Sequence, residues 1–92
     1  MAHSLSAKKR DRQNEKQRGR NRARRTLLKT RVRAFTDALA GGDPALAENK
    51  FRDTCRLLDR EASRGLIHRN AAARNKRRLA RRLGALKQKT SE

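Results

Sequence analysis

Residues 41–44 read Gly41-Gly42-Asp43-Pro44, and the order of those four residues decides the fold. Glycine tolerates the positive φ that closes a helix. An aspartate accepts hydrogen bonds from the free amides at the start of the next one. Proline's fixed φ suits the first helical position, where its missing N–H is not needed. The stretch therefore ends one helix and begins another with almost no chain between them. Working outward, Gly65 is the next break and reads as the residue just past the end of the second helix. A third helix follows from about Arg69 to about Leu86. No β-branched alternation is present anywhere, so strands are not expected.

Each helix carries one apolar stripe at the 3.6-residue period. The first holds Leu28, Val32, Phe35 and Leu39. The second holds Ala47, Phe51, Cys55, Leu58 and Ala62, and the third Ala72, Leu79, Leu83 and Leu86. Three single-stripe helices with short connections predict an all-α fold, an antiparallel three-helix bundle over residues 27–86. Residues 87–92, past the last leucine, read as a disordered tail. Glu48 and Arg52 form an i,i+4 pair in the favoured order on the outer face of the second helix.

Extended backwards, the first stripe changes character. Gln17, Arg18, Asn21, Arg24 and Arg25 precede Leu28, and no large apolar residue lies between Lys8 and Arg22. Lys8, Lys9, Arg10, Arg12, Lys16, Arg18, Arg20 and Arg22 fall on all sides of a helical wheel, so this segment cannot join a core. A first helix from about Ala7 to about Ala40 would be roughly 50 Å long, and a second from Pro44 to Arg64 only about 31 Å. Roughly 20 Å must overhang. Residues 1–26 are thus a basic arm, a long N-terminal helical extension continuous with helix one. Gly19 weakens it by ~1 kcal/mol relative to alanine. The arm is expected to be disordered or fraying alone and helical on RNA.

The charge narrows the choice of partner. The 92 residues hold 27 Lys and Arg against 9 Asp and Glu, a formal charge of +18. Residues 1–33 balance at +11, residues 34–65 at −1 and residues 66–92 at +8. A chain this cationic needs an anionic partner. A membrane-surface helix would set large apolar residues opposite its basic face, and the basic segments have few. No run of 18 apolar residues exists to span a bilayer, and no apolar core of a secretory signal is visible. Nucleic acid is the expected partner and a membrane is not. The single cysteine, Cys55, excludes an internal disulfide and the clustered-thiol zinc patterns. A reducing, cytoplasmic setting is the simplest expectation.

Binding is expected to run through distributed cations that neutralise phosphates and release counterions. Arginine, whose planar fork grips phosphate, dominates the excess. On the third helix Asn70, Arg74, Arg77, Arg78 and Arg81 lie opposite the leucine stripe. There are two Phe, no Trp and no Tyr, and both Phe35 and Phe51 sit on core stripes. Readout of phosphate and shape is therefore favoured over base stacking on aromatics. Of the two histidines, His3 and His68, the second stands at the inter-helix turn beside Arg69 and Asn70. It reads equally as a cap that bonds backbone or as a polar RNA contact. No metal and no cofactor are expected, since neither a ligand-spaced cluster nor a glycine-rich phosphate loop exists. No nucleophile–base pair suggests catalysis.

The run Gly65-Leu66-Ile67-His68-Arg69-Asn70-Ala71-Ala72-Ala73-Arg74-Asn75-Lys76-Arg77-Arg78-Leu79 closely resembles the signature of the bacterial small-subunit ribosomal protein S20 family. In that family a glycine, an apolar pair, a histidine, a basic residue and an asparagine open the third helix. Ser6-Ala7-Lys8-Lys9-Arg10 and the stretch from Asn21 through Arg25-Thr26 to Lys29-Thr30 fit as well. The likeness covers essentially the whole chain. The helix-three motif is specific; the basic ones are not.

The resemblance implies a structural protein of the small (30S) subunit that binds 16S ribosomal RNA directly. It implies stabilisation of the particle's lower body during assembly, and only peripheral contact with other small-subunit proteins. It carries over RNA contacts at Lys8, Lys9, Arg10, Asn21, Arg25, Thr30, His68, Asn70, Arg74 and Lys76. Arg12, Lys16, Arg18, Arg20, Arg22, Lys29, Arg69 and Arg77 complete the candidate set on charge and position. Ala71, where the family commonly has Lys, and Thr26, in place of a common Ser, depart from the pattern and put one contact each in doubt. The competing reading is an architectural DNA-binding protein, which shares the charge and the helices but would show apolar wedges. A basic-zipper dimer is excluded by a leucine repeat that stops at Gly41, too short for a seam, so no homo-oligomer is expected.

Overall fold

The computed structural model describes residues 5–91. Residues 1–4 of the arm, His3 among them, and Glu92 of the tail lie outside the described residues. Three helices follow in order: α1 over Leu5–Gly41, α2 over Pro44–Ser63 and α3 over Arg69–Ser91. The described residues contain no strand.

Both connections are built as the residues dictate. Asp43 adopts extended backbone (φ −97°, ψ 104°) at the N-cap of α2, with Pro44 next. Its Oδ1 accepts from the amides of Ala45 and Leu46 at 3.1 and 3.3 Å. Gly42 supplies a φ of +75° at the end of α1, and Gly41 remains the last helical residue. At the other connection Gly65 has φ +82°. Its amide donates to the Ala62 carbonyl at 3.1 Å while the Leu66 amide reaches back to Glu61 at 3.0 Å. This crossed pair is a Schellman closure, which needs the left-handed residue that glycine provides cheaply.

The helices run up, down and up. The Arg31–Asp53 ion pair of 3.8 Å sets the register of α1 against α2, and Lys76–Asp59 (2.7 Å) and Lys87–Glu48 (3.4 Å) set that of α2 against α3. Both registers are antiparallel. Most tertiary contact runs through α2, and α1 and α3 barely meet. The core gathers Phe35, Ala38, Ala47, Leu58, Ala72, Leu79 and Leu83, with Leu28, Leu39, Phe51, Ala62, Ile67 and Leu86 packed at its edge.

As the middle helix, α2 has two neighbours and buries a wider face than a single stripe. Leu57, Thr54 and Glu61 go inside, none of them on the expected stripe. Cys55 and Phe51, which are on it, are only half-buried. The Thr54 hydroxyl is satisfied by donating to the Lys50 carbonyl at 2.8 Å, and it lies 3.3 Å from the Arg31 carbonyl of α1. Glu61 is 2% exposed. One of its carboxylate oxygens faces Arg64 at 3.8 Å and the other has no hydrogen-bond partner among the described residues.

The expectation of a disordered tail is corrected. The arm is helix from Leu5 onward, as the expected long extension of helix one. Its Lys, Arg, Gln, Glu and Ala residues are good helix formers, and they only extend a helix already nucleated in the bundle, which avoids the costly step. The expected tail at 87–91 is also helix. Lys87 pairs with Glu48, and the Thr90 hydroxyl lies 3.1 and 3.0 Å from the Leu86 and Lys87 carbonyls. At 37 and 20 residues, α1 and α2 are about 55 and 30 Å long. The overhang of α1 extends along the molecule's long axis, which measures 70 Å.

Phe35 and Phe51 meet with ring centroids 5.9 Å apart, but only Phe35 is fully buried. Phe35→Ala is expected to cost about 3–5 kcal/mol, a large share of the ~5–15 kcal/mol of a small domain. Phe51→Ala should cost clearly less. Urea melts of both variants followed by circular dichroism check the order.

Candidate nucleic-acid interface

Helix α1 carries 13 basic and 3 acidic side chains, α2 carries 4 of each, and α3 carries 9 basic and none acidic. The formal charges are thus +10, 0 and +9. The two charged helices flank the neutral one, so the cations fall on two separate surfaces.

The first surface is the overhang of α1. Lys8, Lys9, Arg10, Arg12, Lys16, Arg18, Arg20 and Arg22 are all exposed, as are Arg25, Lys29 and Thr30 nearer the bundle. Arg18, Asn21, Arg22, Arg25, Thr26 and Lys29 converge on an open depression of about 420 Å³. Five of those six were candidates from sequence. Asn21 is half-buried, and its Oδ1 accepts from Gln17 at 3.4 Å, which leaves its amide hydrogens to other acceptors. Thr30 is less available than the sequence implied. Its hydroxyl donates to the Thr26 carbonyl at 2.9 Å, so while that bond holds it can only accept, and a phosphate needs a donor.

The second surface is α3. The antiparallel registers place its first turns at the same end of the bundle as the base of the arm. His68 precedes the helix and its Nδ1 accepts from the Asn70 amide at 3.1 Å. It therefore caps α3. With Nδ1 accepting, the neutral ring keeps its proton on Nε2, an exposed donor beside Arg69 and Asn70. The capping and contact readings of His68 are thus compatible. Arg69, Asn70, Arg74 and Arg77 are exposed and lie along the helix with Arg78 and Arg81.

Lys76 differs from the other candidates. Its ammonium sits 2.7 Å from Asp59. The hydrogen bond to that carboxylate holds its pKa above the ordinary lysine value, more than enough to offset a small desolvation. Burial pushes the nearby Cys55 thiol up, the Lys76 charge partly opposes it, and Asp59 adds to it. Lys76 is therefore committed within the protein. Arg82 and Lys89 are exposed cations outside the candidate set, set around an open groove of about 420 Å³ between α1 and α3 with Leu39 and Leu86. The sequence signal for them was the absence of any acidic residue in α3.

A family model described as Ribosomal protein S20 matches residues 2–84. The chain belongs to the ribosomal protein S20 family. Among the S20 relatives, the small ribosomal subunit protein bS20 of Nitrosomonas eutropha is 46% identical over 87 residues, covering 95% of this chain and 97% of its own. That of Shewanella woodyi is 48% identical over 86 residues, 94% of this chain and 98% of its own. That of Koribacter versatilis is 44% identical over 85 residues, 92% and 96%. Membership of the S20 family makes the chain a structural ribosomal protein and not an enzyme. No helix among the described residues is long and apolar enough to cross a membrane.

The Lys76–Asp59 pair has a pH signature. A lysine whose folded pKa is raised contributes stability that is fully present below its unfolded value of ~10.4 and lost as pH climbs through the folded one. Both side chains are more than a third exposed, so the effect is screened and small. The melting temperature should fall more steeply above pH ~10.4 in the natural protein than in Asp59→Asn. Thermal melts across the alkaline range test it, and parallel curves would refute it.

Proposed function

We propose that the chain binds small-subunit (16S) ribosomal RNA directly, as a component of the small subunit, and stabilises its fold during assembly. The observation that carries this reading is the pairing of two exposed cationic surfaces with a core too small to include either. From residue 5 to residue 20 no side chain is buried and only Ala7 is even partly so. That length of helix has no use for its surface except contact with a polyanion. The contacts are Lys8, Lys9, Arg10, Arg12, Lys16, Arg18, Arg20, Asn21, Arg22, Arg25 and Lys29 on the arm side. On the α3 side they are His68, Arg69, Asn70, Arg74 and Arg77. Thr30 can contribute only as an acceptor, and Lys76 only if it leaves Asp59.

The division of labour follows. Residues 1–26 act as the RNA-binding arm and residues 27–86 as the bundle that holds it. Both aromatics are taken up by the core, so the surfaces read phosphate positions and groove shape, which suits a folded RNA. Other small-subunit proteins are touched peripherally, no second copy of the chain is needed, and the setting is the cytoplasmic ribosome.

A competition assay at ~0.15 M salt, where the nonspecific electrostatic component is weakened, separates RNA from DNA. Structured small-subunit RNA fragments should outcompete duplex DNA, and equal retention of both would favour an architectural DNA protein. Deleting residues 1–22 removes 8 cations and 2 carboxylates. It should weaken RNA binding and flatten its salt dependence by roughly 0.7–0.9 for each phosphate that is no longer neutralised. The melting temperature of the bundle should change little, because none of the described residues among them is fully buried.

A further inference from the structure

All four carboxylates of α2 are engaged in ion pairs, and three of them reach across to another helix. Asp53 takes Arg31 of α1 at 3.8 Å and its own Arg56 at 3.9 Å. Asp59 takes Lys76 of α3 at 2.7 Å. Glu48 takes Lys87 of α3 at 3.4 Å and Arg52 at 3.2 Å. Arg31, Lys76 and Lys87, the cations that α1 and α3 turn toward α2, are thereby drawn into pairs, with Asp59 serving Lys76 alone. By contrast Arg69, Arg74, Arg77, Arg78, Arg81 and Arg82 form no ion pair among the described residues.

The pairs are too exposed to be there chiefly for stability, since exposed pairs of this kind add little to it. Their larger effect is on the field outside the protein. Every cation left unpaired can neutralise a phosphate of any polyanion, whatever its sequence or shape. Removing Arg31, Lys76 and Lys87 from that pool leaves the overhang of α1 and the outer face of α3 as the main cationic surfaces, and a wrongly shaped polyanion cannot reach both.

We propose that Glu48, Asp53 and Asp59 are specificity-determining residues. They hold Lys87, Arg31 and Lys76 in pairs so that a polyanion matching the two main cationic surfaces is gripped in preference to others. This rests on the RNA-binding reading above. Asp59 is the strongest case, because it serves one cation where Glu48 and Asp53 each serve two, and the contact is the shortest of the set.

The test uses the full chain with two probes, a structured small-subunit RNA fragment and a random-sequence DNA duplex, titrated between ~50 and ~200 mM salt. Asp59→Asn liberates the Lys76 ammonium. On the duplex the variant should neutralise about one further phosphate, steepening the log–log salt slope by roughly 0.9. The preference for RNA should drop, and by about threefold more at ~50 mM than at ~200 mM, which is that slope taken over the fourfold salt range. The double variant Asp59→Asn with Lys76→Gln should return slope and preference to the natural values. Lys76→Gln alone should leave both nearly unchanged, although it removes a positive charge.

The proposal is overturned if Asp59→Asn leaves the duplex slope and the preference unchanged. It is equally overturned if the double variant fails to restore them, since a loosened bundle would not be repaired by a second loss. Circular dichroism on each variant shows whether the helices persist. Should the natural protein show no preference for RNA, the functional reading fails by itself, and the duplex slopes still decide the role of Asp59.

Discussion

Two helices with formal charges of +10 and +9 can share one small domain only if something neutral stands between them. At the 8–10 Å spacing of packed helices, each facing pair of like charges would repel by about 0.4 kcal/mol even at the dielectric constant of water. Helix α2 resolves this in two ways. It keeps α1 and α3 from meeting along most of their length, and it offers each of them apolar surface and carboxylates. Leu58 and Ala47 hold the core, and Asp53, Asp59 and Glu48 draw in Arg31, Lys76 and Lys87. The neutral middle segment is thus the condition for having two cationic ones.

The ends of the helices show where stability has been set aside. A helix N-terminus carries partial positive charge, and acidic residues in the first turn normally complement it. None of the three helices has one in its first turn. Instead Lys8 and Lys9 stand near the start of α1 and Arg69 opens α3, each at an expected cost of ~0.3–1 kcal/mol. The start of α3 is held instead by a single uncharged device, the His68 ring on the Asn70 amide. Helix α2, which meets no polyanion in the proposed function, is capped in the ordinary way by Asp43. Local rules are broken on the two helices read as RNA-facing and obeyed on the third, as expected where function rather than stability chose the residues.

The break residues made the fold legible. Gly41 to Pro44 and Gly65 marked both connections because a left-handed backbone and a capped start need those residue types. The leucine and alanine positions of α3 were readable for a similar reason, since α3 packs mainly against one neighbour and one stripe suffices. The stripe of α2 was misread where a middle helix must serve two. Thr54 looked polar in the sequence, yet its hydroxyl bonds its own helix and so it can be buried. Leu57 and Glu61 faced a neighbour the single-stripe rule does not foresee. The candidate site was legible as charge but not as allegiance. Nothing in the sequence says that Lys76 belongs to Asp59 while Arg77 does not, because that depends on the rotation of α3 about its axis.

That the arm is already helical bears on how it could work. Ordering a residue from a disordered chain costs roughly 1–2 kcal/mol of backbone entropy, and the 17 residues of the overhang from Leu5 to Asn21 would spend much of their phosphate attraction on that step. Good helix formers joined to a stable bundle avoid most of it, because each added turn needs only propagation. Gly19 works against this, and with no Cβ contact to preserve its retention is not explained by packing. The arm is also one continuous helix with the segment that bears Phe35 and Ala38. Its direction is therefore fixed by the core, and the spacing between its cations and those of α3 is a property of the fold. A polyanion that satisfies both surfaces must present phosphates at that spacing, which is how a protein with no base-reading aromatics can still select one RNA shape.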